Sequence, residues 1–133
     1  MVSRSLLPSR FYLPGAIHNL DEGYIASRPH NVTVWQVHDS PPYLSNPRLF
    51  ADIESDPVGI PDGLRIDKDG NVYVAAGDGV QVFNRNGSLI GKIYVKRQAS
   101  NLTFGGKDNN ILFIVAGPYA YAVSLETSGA IVE

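Results

Sequence analysis

From residue 61 onward, apolar and polar positions alternate with a period of two, interrupted at short intervals by turns rich in glycine and asparagine. Leu64 and Ile66 alternate with Arg65 and Asp67, and Lys68-Asp69-Gly70-Asn71 is a turn. Val72 to Ala76 is a second apolar run, closed by Gly77-Asp78-Gly79. Val80 to Phe83 and Leu89 to Val95 follow, separated by Asn84-Arg85-Asn86-Gly87. Side chains of a strand point alternately to its two faces, so the pattern predicts four short antiparallel strands over residues 61–95. No segment longer than about two turns carries apolar residues at i, i+3, i+4 and i+7, so helices are expected to be few.

The same grammar recurs. Residues 68–77, Lys68 to Gly77, align with residues 108–117, Asp108 to Gly117, and Val80-Gln81-Val82-Phe83 aligns with Tyr121-Ala122-Val123-Ser124. A weaker copy upstream uses Tyr24-Ile25-Ala26-Ser27 as second strand, Val32 to Val37 as third and Arg48 to Ile53 as fourth. A repeat of about 40 residues holding four strands marks a β-propeller blade, which needs neighbours to cover both of its faces. The expected fold is all-β: a partial β-propeller of about two and a half four-stranded blades, near residues 24–58, 61–95 and 100–133. Residues 1–23 receive no element. A β-sandwich is the competing architecture, but it has no need of such a repeat.

Charge and composition exclude several classes. Eleven Lys and Arg against 13 Asp and Glu give a net charge of -2, and no basic run is interleaved with aromatics, so a nucleic-acid partner is not expected. No apolar window approaches the 18 or so residues needed to cross a bilayer, and the first residues are too weakly apolar for a signal peptide. The expectation is a soluble chain of the cytoplasm, with no membrane partner. The absence of cysteine removes disulfides, thiolate zinc sites and thiol nucleophiles, leaving oxygen or imidazole as metal donors. His18, His30 and His38 lack metal-ligand spacing and read as loop or surface residues. Asp67-x-Asp69-Gly70 is EF-hand-like, but its glycine comes two positions early and no glutamate stands at loop position 12, so it reads as a hairpin turn.

One constellation carries a family resemblance. Gly59-Ile60-Pro61-Asp62-Gly63-Leu64-Arg65-Ile66-Asp67-Lys68-Asp69-Gly70-Asn71-Val72-Tyr73-Val74-Ala75, then Gly79-Val80-Gln81-Val82-Phe83 and Asn101-Leu102-Thr103-Phe104-Gly105-Gly106, resembles the C-terminal part of the gluconolactonase/regucalcin (senescence marker protein) family. The resemblance covers roughly residues 45–129. It implies a relation to six-bladed propellers that hydrolyse sugar lactones with a divalent metal (Ca, Mg, Mn or Zn) on the propeller axis. By the same resemblance Asp62 falls on the family's metal-binding aspartate, which is also its proposed base. Bare Pro61-Asp62-Gly63 reads as a turn before a strand; the repeat places it at a first-strand entrance instead.

Asn101, 39 residues further on, stands near the equivalent place in the next blade. It reads either as a substrate contact or as a strand-start residue bonding its own turn. The family's remaining metal ligands have no counterpart in this chain, and the Pro-Asn-Gly run that opens its preceding blade is absent. Two functional readings therefore stand: an incomplete gluconolactonase-like hydrolase acting on a sugar lactone, or a non-catalytic propeller segment or interaction module. Open blade faces at the ends of such an arc imply self-association.

Overall fold

The computed structural model describes residues 10–16 and 30–131. Ten strands form three antiparallel sheets, with no helix among the described residues. The first holds β1 (Arg10–Ala16), β2 (His30–Val37) and β3 (Leu44–Asp52) in that spatial order. The second is the four-stranded meander β4 (Leu64–Ile66), β5 (Val72–Ala76), β6 (Gly79–Phe83) and β7 (Leu89–Tyr94). The third holds β8 (Asn101–Gly105), β9 (Ile111–Ala116) and β10 (Tyr119–Ser124).

The period-two pattern explains how the sheets stack. In β5, Val72, Val74 and Ala76 face the first sheet and pack with Val32, Val34, Phe50, Ile53 and Phe83. Tyr73 and Ala75 face the other way and, with Val80 and Val82, meet Leu102, Leu112 and Ile114 of the third sheet. β5 and β6 are buried from end to end because they are covered on both faces. Each fully enclosed valine contributes roughly 2 kcal/mol relative to leaving it exposed. Aromatic edge-to-face contacts add shape: Tyr12 and Phe50 lie 5.0 Å apart in the first core, Tyr73 and Phe104 5.2 Å apart in the second. Three sheets stacked in series around two cores are a partial β-propeller, and the two-sheet sandwich is excluded.

Two features depart from the pattern. The strand paired with β2 is β1, within the stretch that received no element, while Tyr24 to Ser27 lie outside the described residues. β1 is hard to read because Pro14 and Gly15 break its apolar alternation. After β10 the chain returns to the far end of β4, where Gly129 bridges Asp67, Lys68 N–H donates to Ser128 O and Ala130 N–H donates to Ile66 O.

Candidate functional site

Asp62 immediately precedes β4, and the hydrogen bonds there are irregular. Its N–H donates to Ala75 O at 3.0 Å, while Ala75 N–H donates to Gly63 O at 2.9 Å. Two residues thus oppose one, the arrangement of a β-bulge, a device that re-aims side chains at strand ends. The bulge releases the Gly63 N–H, which donates instead to Ser100 O beside β8 at 3.0 Å. The two innermost strands of neighbouring sheets are thereby tied together at this end. A Cβ on residue 63 would stand 2.3 Å from Asn101 Oδ1 and 2.8 Å from Asn101 Cα, so only glycine allows this approach. Asp62 itself is exposed, whereas Pro61 before it is buried.

Asn101 is thus brought beside the Asp62–Gly63 bulge. Its amide oxygen accepts the N–H of its own neighbour Leu102 at 2.9 Å, the local bond of a strand-start residue. The register makes the near-equivalence drawn from spacing exact to one residue. Leu64 pairs with Val74 and Leu102 with Ile114, so Asn101 occupies Gly63's place, and Ser100, whose N–H donates to Val115 O, occupies Asp62's.

The loop that delivers Asp62 is held by a group of polar side chains that belong to no sequence motif. Gln81 is 1% exposed and its amide nitrogen donates to Glu54 O at 2.7 Å and to Asp78 Oδ1 at 3.1 Å. Lys92 donates to Asp78 Oδ2 at 2.8 Å, and that bond holds the lysine above its ordinary pKa. Glu54 thus binds the second sheet through Gln81, and Ser55, Pro57 and Gly59 after it lie close against Gly77. The available sequence signal was a glutamine in the middle of an otherwise apolar strand, since a buried amide needs partners.

Asp67, at the opposite end of β4, is 1% exposed. Its Oδ1 accepts the N–H groups of Asp69 and Asn71, and its Oδ2 accepts from Asn71 Nδ2 and the Tyr73 hydroxyl, at 2.9 to 3.1 Å. It is the hairpin anchor expected, with its acceptor capacity spent. Burial first, then the charge and hydrogen bond of Asp67, push the Tyr73 phenol well above its ordinary pKa.

Two concavities flank these strands. One of about 340 Å³ is lined by Arg65, Asn101, Thr103, Phe113 and Val115; a larger one of about 460 Å³ lies at the Asp67 end against Arg10, Arg85 and Gly129. Asp62 lines neither. Among the described residues no three His, Asp or Glu side chains group as a metal site. Asp62 suits a hard cation in kind, as an exposed carboxylate, but one charged donor is an incomplete set.

Stacked blades whose innermost strands meet at one end define the chain as part of a β-propeller. It belongs to the SMP-30/gluconolactonase/LRE-like family, whose model matches residues 22–117. It is 37% identical over 74 residues to the gluconolactonase of Zymomonas mobilis, covering 54% of this chain and 20% of that one. It is 29% identical over 110 residues to the lactonohydrolase oryH of Aspergillus oryzae, covering 83% of this chain and 23% of the relative. Among solved structures, XC5397, a gluconolactonase from Xanthomonas campestris, superimposes with a TM-score of 0.63 at 34% identity, over 72% of this chain and 30% of that one. The chain therefore spans about a fifth of the length of these curated relatives. No helix among the described residues is long and apolar enough to cross a membrane.

Proposed function

We propose that this chain carries one wall of a sugar-lactone hydrolase site, with Asp62 as its reactive group. The observation that carries the reading is the bulge at Asp62–Gly63, which sets an exposed carboxylate at the meeting point of two innermost strands. Asp62 would hold a divalent metal (Ca, Mg, Mn or Zn) together with oxygen donors from beyond the described residues. When bound, such a metal polarises the lactone carbonyl as a Lewis acid. Asp62 accepts the proton of the attacking water; the water oxygen bonds to the carbonyl carbon, the ring C–O bond breaks, and the departing ring oxygen takes up the proton. The products are a hydroxy acid and regenerated enzyme.

A second reading is favoured by the lack of a three-donor group among the described residues: by itself the chain is a non-catalytic propeller segment that associates through its open sheet faces. The two readings separate in one assay, the opening of gluconolactone followed by proton release with each of the four metals. Turnover near background is expected of the isolated chain. Transplanting residues 59–106 into a gluconolactonase should preserve its turnover, and Asp62→Asn in the transplant should abolish it. A transplant indifferent to Asp62→Asn would refute the catalytic reading.

A further inference from the structure

At the end of β4 opposite Asp62, three cationic side chains from separate stretches of the chain line one concavity of about 460 Å³. Arg10 comes from the start of β1, Lys68 from the turn between β4 and β5, and Arg85 from the turn between β6 and β7. Two contacts hold the arginines there. Arg10 Nη1 donates to Arg85 O at 3.1 Å, and the Arg85 stem lies over Gly70, where a Cβ would stand 2.9 Å from its Cγ and 3.2 Å from its Nε. Gly70 has a φ of 84°, so the turn calls for glycine and thereby leaves the room that Arg85 fills.

The charge of this wall is not balanced from within. Of its two acids, Asp67 spends both carboxylate oxygens on four donors, and Asp69 lies 3.5 Å from Lys68. Among the described residues no carboxylate pairs with Arg10 or Arg85. A chain of net charge -2 thus gathers two guanidinium groups here without a counter-charge. Each guanidinium carries five N–H donors in a planar fork, and Arg10 spends one of them on Arg85 O. Two such forks match the charge of a dianion and the oxygen geometry of a phosphate. The rest of the wall includes Tyr12, Ile66 and Ile131, which offer apolar surface. The volume is that of a small-molecule site, with room beyond a phosphate for an organic body.

We propose that this concavity binds a phosphate monoester of a small apolar alcohol or phenol, its dianionic head between Arg10 and Arg85 and its body against Tyr12, Ile66 and Ile131. Five residues of extended chain, about 16 Å, separate Asp67 from Asp62, so the site is independent of the function proposed above. Its wall joins β1 of the first sheet, two turns of the second and the segment Ser128–Ile131 that follows the third. A ligand held there ties the three sheets together and stabilises the stack by mass action.

Isothermal titration calorimetry of the intact chain tests this at low salt and about pH 7.5, where a phosphate monoester is a dianion. The probes are phenyl phosphate, inorganic phosphate, benzoate and benzyl alcohol. Phenyl phosphate should bind at least about tenfold more tightly than benzoate and more tightly than inorganic phosphate, while benzyl alcohol should give no binding heat. Arg10→Gln and Arg85→Gln should each weaken phenyl phosphate binding about tenfold or more, the loss of a charged hydrogen-bonding partner. Arg10→Lys and Arg85→Lys, which keep the charge without the fork, should fall between parent and glutamine variants. Lys68→Gln should cost less than about threefold, because Asp69 already faces that charge. Saturating phenyl phosphate should raise the melting temperature of the parent and leave that of the double glutamine variant unchanged, and Asp62→Asn should alter none of these readings.

Binding that persists undiminished in the double glutamine variant would overturn the proposal, as would the absence of binding by either phosphate up to about 10 mM. Benzoate binding as tightly as phenyl phosphate would also overturn it, since the head would then not be read as a dianion. So would loss of binding in Asp62→Asn, which would place the ligand at the other end of β4. Circular dichroism establishes that the compared variants are folded, and the lysine variants carry the test if a glutamine variant is not.

Discussion

Replacing Asp67 by alanine tests how much of this small fold hangs on one buried carboxylate. Four donors converge on it: two backbone amides, the Asn71 amide and the Tyr73 hydroxyl. The first three lie where water can partly replace the lost acceptor, and each costs roughly 1 kcal/mol. Tyr73 is 5% exposed, and stranding its hydroxyl without an acceptor costs about 2 kcal/mol. The expected loss is therefore about 5 kcal/mol, as large as the whole stability of many small domains. Asp67→Asn keeps one oxygen for the two backbone amides and should lose about 2 kcal/mol. Urea unfolding at neutral pH, followed by circular dichroism and by the fluorescence of Trp35, the single tryptophan, measures both. A loss below about 1 kcal/mol for Asp67→Ala would refute the reasoning, because it would mean that the four bonds contribute nothing beyond what water supplies.

The raised Tyr73 pKa makes stability fall in alkali: below about pH 10 the phenol is protonated in both states, and above it the unfolded chain loses the proton first, so stability drops by up to about 1.4 kcal/mol per pH unit. Urea midpoints at pH 9 and 11 measure this, and Tyr73→Phe should flatten the slope. Gly77→Ala should destabilise by roughly 1–3 kcal/mol and increase hydrogen exchange in residues 54–62, because its Cβ would stand 2.2 Å from Pro57 O and 2.6 Å from Gly59 N. Phe113 and Val115 are 42% and 45% exposed on the outer face of the third sheet, so the chain should sediment as an associating species at micromolar concentration, and Phe113→Lys with Val115→Thr should shift it toward monomer.

Much of this was legible because strand periodicity is a local signal. Val72, Val74 and Ala76 against Tyr73 and Ala75 announce two faces without knowledge of what covers them. Offsets between repeats were less legible, because they depend on turn length. The hairpin of the third sheet is longer than that of the second, as Ile66 pairs with Val72 but Phe104 with Leu112. The repeat spacing therefore changes between first and second strands, so spacing alone points to Asn101 where the register points to Ser100. The same kind of slip affects β10: Ala76 pairs with Gly79 and Ala116 with Tyr119, so Val80 corresponds to Ala120 and Gln81 to Tyr121. A one-residue slip exchanges the faces of a strand, and only the pairing resolves it. The bulge at Asp62–Gly63 leaves no mark in composition, since it is a diversion of backbone hydrogen bonds.

The opposite facing of alternate β5 residues gives the stack a direction. One end presents Phe11, Leu13 and Leu49 of the first sheet, the other Phe113 and Val115 of the third, and the two surfaces are not copies of each other. A two-fold pairing would have to match one surface to itself, whereas joining unlike ends repeats the relation already built between consecutive sheets. Contacts between unlike ends are heterologous: they terminate only if the accumulated rotation returns to its start, and otherwise continue as an open polymer. The curvature per sheet therefore decides whether association of this arc ends in a closed ring or in filaments whose length rises with concentration.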